Sequence, residues 1–286
     1  MIELRWGERT HVMGIINVTA DSFSGDGLVA PGRDEAAIVA AALDQARGFV
    51  EAGADLLDVG AESTRPASVY GEHLEVNAAT ELGLAIPVAA ALAREFAGQA
   101  LVSIDTTKGA VARAALAAGA GMVNDVWAGR RDPGTVEAAA AAGAHLVLMH
   151  NRERAEYPEG LIPHIVGWLN AAVADAVAAG VARDRLIVDP GIGFGKTPAQ
   201  SIEVLHRLAE LKAALDGLPM LVGTSRKRFI GEILGGAPPN DRIEGTAASV
   251  ALAIAAGADI VRVHDVAAIM KTVRVADAIV RATIDR

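Results

Sequence analysis

Eight short apolar runs in this chain stop at side chains that can donate, accept or carry charge. They are Asn17, Asp58, Asp105, Asn124 with Asp125, His150, Asp189, Ser225, and His264 with Asp265. Capping a helix or tying down a loop accounts for single cases; a polar residue at the same place in every unit points to a shared site. A carboxylate at such a place can accept two parallel hydrogen bonds from adjacent N–H groups. Basic residues stand close by in sequence: Arg65, the run Arg226-Lys227-Arg228, and Arg262 with His264. Such a set can oppose an anion. The chain has no cysteine, which excludes disulfides, thiolate catalysis and a Cys-ligated zinc or iron–sulfur site. Its seven histidines show no zinc-type spacing, and no nucleophile–base pair is evident.

A repeating pattern must position these residues. An Ala-rich segment of helical period ends in Gly-Ala, a short apolar run follows, and the run ends at a polar residue. Units beginning at Gly53, Gly119, Gly143 and Gly257 show it in full. Glycine just past a helix supplies a left-handed cap, and an apolar run of this length reads as a buried strand. The runs 11–18, 100–106, 186–189 and 220–225 bring the strands to eight. Helices are expected near 35–52, 80–97, 108–118, 134–142, 162–180, 199–215, 241–256 and 267–284. Strict alternation implies a parallel sheet, and eight pairs close into a (β/α)8 TIM barrel, an α/β fold. An open doubly wound sheet is the competing architecture. No linker divides the chain, so one domain over 1–286 is expected. Barrel enzymes build their sites at the C-terminal ends of the strands, which is where the polar residues stand.

Composition agrees with that architecture. The chain has 286 residues, 52% of them hydrophobic and only 3% aromatic, so Ala, Val, Leu and Ile must form the core of buried strands and covering helices. A net charge of −9 argues against general nucleic-acid binding, whose footprint is basic, and leaves an anionic small substrate open. The first nine residues are charged where a signal peptide is apolar, and stretches such as 247–258 fall short of the roughly 20 residues of a membrane helix. A cytoplasmic enzyme or binding domain without nucleic-acid or membrane partners is the expectation.

The loops after four strands are distinctive: Asn17-Val18-Thr19-Ala20-Asp21-Ser22-Phe23-Ser24, Glu62-Ser63-Thr64-Arg65-Pro66, Asp189-Pro190-Gly191-Ile192-Gly193-Phe194-Gly195-Lys196, and Gly223-Thr224-Ser225-Arg226-Lys227-Arg228-Phe229-Ile230-Gly231. With the other strand ends, in this order, the chain resembles the dihydropteroate synthases over roughly residues 11–280. These folate-pathway enzymes join 4-aminobenzoate to a pterin methyl diphosphate. The resemblance implies that Asp189 holds the pterin's amino group and ring N–H, that Asp105 and Asn124 complete the polar edge, and that Lys227 donates to a ring acceptor. Phe194 and Met149 would line the apolar wall, and Arg262 would lie over the ring by cation–π stacking. Arg65, Arg262 and His264 would neutralise the diphosphate, helped by backbone N–H groups of a helix beginning near Arg226. Asn17 would sit beside a Mg2+ that bridges the diphosphate oxygens. Thr64, Arg65, Pro66 and Ser225 would contact the aminobenzoate.

The implied reaction is substitution at the pterin's exocyclic methylene with diphosphate leaving, and the implied assembly is a homodimer through outer helices. The second loop departs from the family pattern, with Ala67 where glycine usually follows Ser-Thr-Arg-Pro and an unmatched stretch over 68–76. That loop bears on sulfonamide response, and a sulfonamide-insensitive enzyme is one reading of it. Two other readings are a pterin-binding paralogue without catalysis and a methyltetrahydrofolate corrinoid methyltransferase domain. The latter would not need the Ser-Thr-Arg-Pro loop or the Arg226-Lys227-Arg228 segment.

Overall fold

The structure is a computed structural model that describes residues 3–19, 27–29, 34–62 and 76–281. Strands β1 (His11–Asn17), β2 (Leu56–Gly60), β3 (Leu101–Asp105), β4 (Met122–Asp125), β5 (His145–Met149), β6 (Leu186–Asp189), β7 (Leu221–Val222) and β8 (Ile260–Val263) form one parallel sheet. The order is β6-β5-β4-β3-β2-β1-β8-β7, and a parallel bridge from Val188 to Met220 joins its two edges. The sheet is thus a barrel rather than the open alternative. Helices α1 (Glu35–Ala52), α2 (Ala78–Glu95), α3 (Gly109–Ala117), α4 (Gly134–Ala142) and α5 (Leu161–Ala178) follow the first five strands. Two helices, α6 (Pro198–His206) and α7 (Leu208–Ala214), replace the single one expected over 199–215. A six-residue α8 (Arg228–Ile233) precedes α9 (Ile243–Ala255), and α10 (Val266–Val280) ends the described chain.

Side chains on a strand alternate between its two faces, and here the inward set is identifiable. Met13, Leu56, Leu101, Met122, Val147, Ile187, Leu221 and Ile260, one per strand, form a buried cluster closed below by Leu4 and Trp6. Two residues further along each strand the inward positions are Ile15, Asp58, Ser103, Asn124, Met149, Asp189, Gly223 and Arg262. The barrel interior therefore changes from apolar to polar within one layer. The outward residues pack under the Ala-rich helices. Helix α5 is apolar and long enough to cross a bilayer, but its Leu161, Ile165, Leu169 and Val173 face lies buried in the shell around the barrel. The glycines expected as helix ends adopt left-handed φ values, +105° at Gly53, +107° at Gly119, +60° at Gly143 and +97° at Gly257.

Helices α3 and α4 start in near-contact. A Cβ added at Gly109 would lie 2.5 Å from the Gly134 backbone, while the Asp132 carboxylate accepts from both the Gly109 and Gly134 N–H groups. Gly109→Ala should destabilise the protein by about 1–3 kcal/mol through overpacking, read as a lowered Tm in scanning calorimetry. An unchanged Tm would mean that the helices tolerate a wider spacing.

Candidate functional site

The polar layer at the C-terminal end of the barrel is built by register. Asn17 pairs with Gly60, Gly60 with Asp105 and Asp105 with Asn124, so one row crosses four strands. Asp58 lies one inward position deeper, opposite Ser103. Arg262 reaches across from β8 and donates from Nε to Asp58 Oδ2 at 2.6 Å and from Nη2 to Asp105 Oδ2 at 2.9 Å. Asn124 Nδ2 donates to the same Asp58 oxygen at 2.9 Å. Asp58 Oδ1, Asp105 Oδ1 and Ser103 Oγ are buried with no hydrogen-bond partner in the protein. One guanidinium thus serves two carboxylates. Burial, with the charge of Asp58 alongside, pushes Asp105 up to about 8 against the pull of Arg262. A proton on Asp105 leaves the trio near neutral, which a low-dielectric floor favours.

Asp189 ends β6 on the inward face and is buried. Its Oδ1 accepts the Gly191 N–H at 2.7 Å. Burial raises its pKa, opposed first by Lys227 and then by the Gly191 bond, Lys196 and Arg262. Gly191 must be glycine: φ is +69°, and a Cβ would stand 1.9 Å from the His150 carbonyl oxygen. Lys227 donates to Ile192 O and lies 4.7 Å from the centre of the Phe194 ring, so the seventh-strand segment clasps the sixth-strand loop. Met149, buried at the end of β5, is paired in register with Asp189 and forms the apolar wall beside it.

At the mouth, Ser225 Oγ stands 2.9 Å from His264 Nδ1 and accepts the His264 backbone N–H at 3.2 Å. Next to it, Arg226 makes a two-pronged ion pair with Asp265, at 3.0 and 2.7 Å. Arg226 itself has φ +59°, held by Thr246 Oγ1 on its N–H and Arg242 on its carbonyl. The helix expected near Arg226 starts only at Arg228 and runs six residues.

The structure therefore brings together Asn17, Asp105, Asn124, Met149, Asp189, Phe194, Ser225, Lys227, Arg262 and His264 around one end of the barrel. Thr64, Arg65 and Pro66 lie outside the described residues. Arg262 is committed to Asp58 and Asp105, so its charge is shared with the pocket floor and not held for an anion alone. Three of the strand-end residues do other work. Asp125 faces outward and accepts from Trp127 N, Gly129 N and Thr135 Oγ1. His150 packs outside the barrel against Trp168 and His164. Asp265 serves Arg226. Sequence reasoning left Asp58 without a role, although its spacing from Leu56 marks it as inward.

Lys196, also unassigned, is buried with Nζ 2.8 Å from His150 Nδ1 and donating to Gly191 O and Phe194 O. Desolvation drives its pKa well below the ordinary lysine value. It braces the Asp189 loop from beneath.

Among the described residues no group of three or more His, Asp or Glu side chains could hold a metal. Asn17, at the end of β1, carries a side-chain oxygen of the kind a hard cation accepts. A hard cation that keeps water and substrate oxygens as most of its shell would need few such protein ligands.

Residues 13–264 match the family described as pterin binding enzyme. A dihydropteroate synthase of a Synechocystis strain is 43% identical over 96% of this chain and 92% of its own length. A dihydropteroate synthase of Clostridium difficile, crystallised in the presence of pteroic acid, superposes with a TM-score of 0.88 at 41% identity, covering 98% of this chain and all of that one. The Xanthomonas albilineans dihydropteroate synthase with 4-aminobenzoic acid gives 0.84 at 40% identity, covering 96% of this chain and 94% of that one.

Protonated Asp105 is testable. Its folded pKa lies above the unfolded value of about 3.9, so its contribution to stability is full below about pH 4 and is lost as pH rises through about 8. Infrared difference spectra should show a protonated carboxyl band that disappears near pH 8 and is missing from Asp105→Asn. A band lost below pH 5 would show Asp105 to be an ordinary carboxylate.

Proposed function

The chain belongs to the pterin-binding enzymes, among the dihydropteroate synthases, and from that premise we propose that it condenses 6-hydroxymethyl-7,8-dihydropterin diphosphate with 4-aminobenzoate. The products are 7,8-dihydropteroate and diphosphate. The observation that carries this reading is the pocket around Asp189: a buried carboxylate, locked by Gly191 N–H, with the charge of Lys227 acting on it. An acceptor carboxylate with a donor cation close to it suits the amino, N–H and carbonyl edge of a pterin. Asp189 accepts the 2-amino and ring N–H groups together, Lys227 donates to a ring acceptor, and Met149 and Phe194 enclose the faces.

Departure of diphosphate from the methylene needs charge neutralised on the leaving oxygens. His264 stands there with Nδ1 2.9 Å from Ser225 Oγ, and the tautomer in which that hydroxyl donates to Nδ1 would offer an Nε2 proton to the leaving group. Arg65 from the second loop and the remaining guanidinium N–H groups of Arg262 add to it. Asn17 would hold a bound Mg2+, which would supply Lewis-acid polarisation of the diphosphate. The carbon gains positive character as the bond breaks, and the electron-rich pterin delocalises it. The arylamine of aminobenzoate is neutral near pH 7, so attack requires no strong base. Ser225, Thr64 and Pro66 place the aminobenzoate over the mouth.

A homodimer through outer helices belongs to the same reading. Leu252 on α9 and Val275 and Ile279 on the adjacent α10 are 70%, 62% and 76% exposed, an arrangement that suits a covered face. Leu252→Glu should shift the mass in light scattering from two chains to one; an unchanged mass places the contact elsewhere.

Diphosphate release measured with both substrates tests the function. Wild type should turn over, Asp189→Ala should lose pterin binding in calorimetry, and Lys227→Ala should lose both rate and pterin affinity. Pterin binding without turnover would make the chain a binding paralogue, and unchanged kinetics in Lys227→Ala would remove that residue from the site. The same assay with a sulfonamide reads the departing second loop: a retained rate is the result expected of an insensitive enzyme.

A further inference from the structure

Asp58 has no place in the chemistry described above, yet it is fully buried and receives two donors on one oxygen. Arg262 has only donors to offer, so its Nε contact makes Asp58 Oδ2 an acceptor whatever the proton count on the other oxygen. Asn124 must then turn its NH2 end to Asp58. The amide is planar, and in the strand register Asp58 sits opposite Ser103, two residues before the Asp105–Asn124 row. The Asn124 oxygen is consequently directed away from the floor, toward the mouth, while the second N–H of Nδ2 remains beside it.

We propose that Asp58 is a positioning residue that sets substrate specificity, by fixing the Asn124 amide so that its oxygen meets the 2-amino group of the pterin. This rests on the reading of the pocket as a pterin site. Asp189 uses one hydrogen of that amino group together with the ring N–H; the other hydrogen points toward the neighbouring ring nitrogen's side. An amide with its oxygen held outward accepts that hydrogen, and its N–H end faces the ring nitrogen, which is an acceptor. With the amide reversed, N–H would oppose N–H and oxygen would oppose a lone pair. Asp58 thereby selects a 2-amino heterocycle over one that lacks the group, without touching it.

The test compares calorimetric affinities for 6-hydroxymethylpterin and its analogue lacking the 2-amino group, in wild type and in Asp58→Asn. Asparagine keeps the size of Asp58 but can turn either end to Asn124, so the amide is no longer fixed. Preference for the amino compound should be strong in wild type and fall about tenfold in the variant, the worth of one hydrogen bond in a closed pocket. Effects passing through Arg262 alter both affinities alike and cancel in the ratio. A full ratio retained in Asp58→Asn overturns the role of Asp58 while leaving the pterin site intact; wild type that binds neither compound overturns the pterin reading and this inference with it. Should Asp58→Asn not fold, asparagine-labelled 15N spectra of ligand-free wild type decide the matter. The Asn124 NH2 should exchange slowly, and fast exchange overturns the proposal.

Discussion

A single guanidinium between two buried carboxylates organises this protein's interior. Arg262 enters from β8 and ties it to Asp58 on β2 and Asp105 on β3, linking strands that are not neighbours in the sheet. Burying such charges is costly, and the cost is offset only when each group is paired and hydrogen-bonded. Removing Arg262 would leave Asp58 and Asp105 unpaired in the barrel, a loss of about 3–5 kcal/mol by analogy with other broken buried pairs. The trio also sets the character of the pocket. Burial, with the charge of Asp58 alongside, raises Asp105 to about 8, which draws the trio toward neutrality.

Much of this was legible in the sequence, and the reason is alternation. Helical period, Gly-Ala junctions and short apolar runs mark eight units, and a parallel barrel is the arrangement that buries all of them. Terminal polar residues pointed to the C-terminal end of the barrel, where the structure gathers most of them. The rule was too coarse in one respect, because strand ends fall on both faces. Asp125, His150 and Asp265 terminate strands yet lie off the inward alternation that runs through Asn17, Asp105, Asn124, Asp189, Ser225 and His264. Counting by two from the apolar layer at Met13, Leu56 and Leu101 separates the sets and places Asp58, counted among the strand ends but given no role, on the inward face.

What remained hidden lay in loops whose conformation depends on distant partners. The left-handed backbone of Arg226 is imposed by Thr246, Arg242 and Asp265, none of them near it in sequence. Lys196 is one residue past a glycine-rich turn and reads as a solvated cation, but the fold buries it against His150 and two carbonyls. The break at Arg207 between α6 and α7 likewise has no Pro or Gly to announce it. For Arg226 and Lys196 tertiary contacts override local preference.

The central claim is that the barrel floor reads a pterin edge through Asp189 and an oriented Asn124. A crystal structure with a dihydropterin bound, at a resolution that distinguishes amide oxygen from nitrogen through its contacts, tests it most directly. The account predicts the 2-amino and ring N–H groups on Asp189, with the Asn124 oxygen on the amino group and its nitrogen still donating to Asp58. A ring bound away from Asp189, or an Asn124 amide turned with its oxygen toward Asp58, would contradict it.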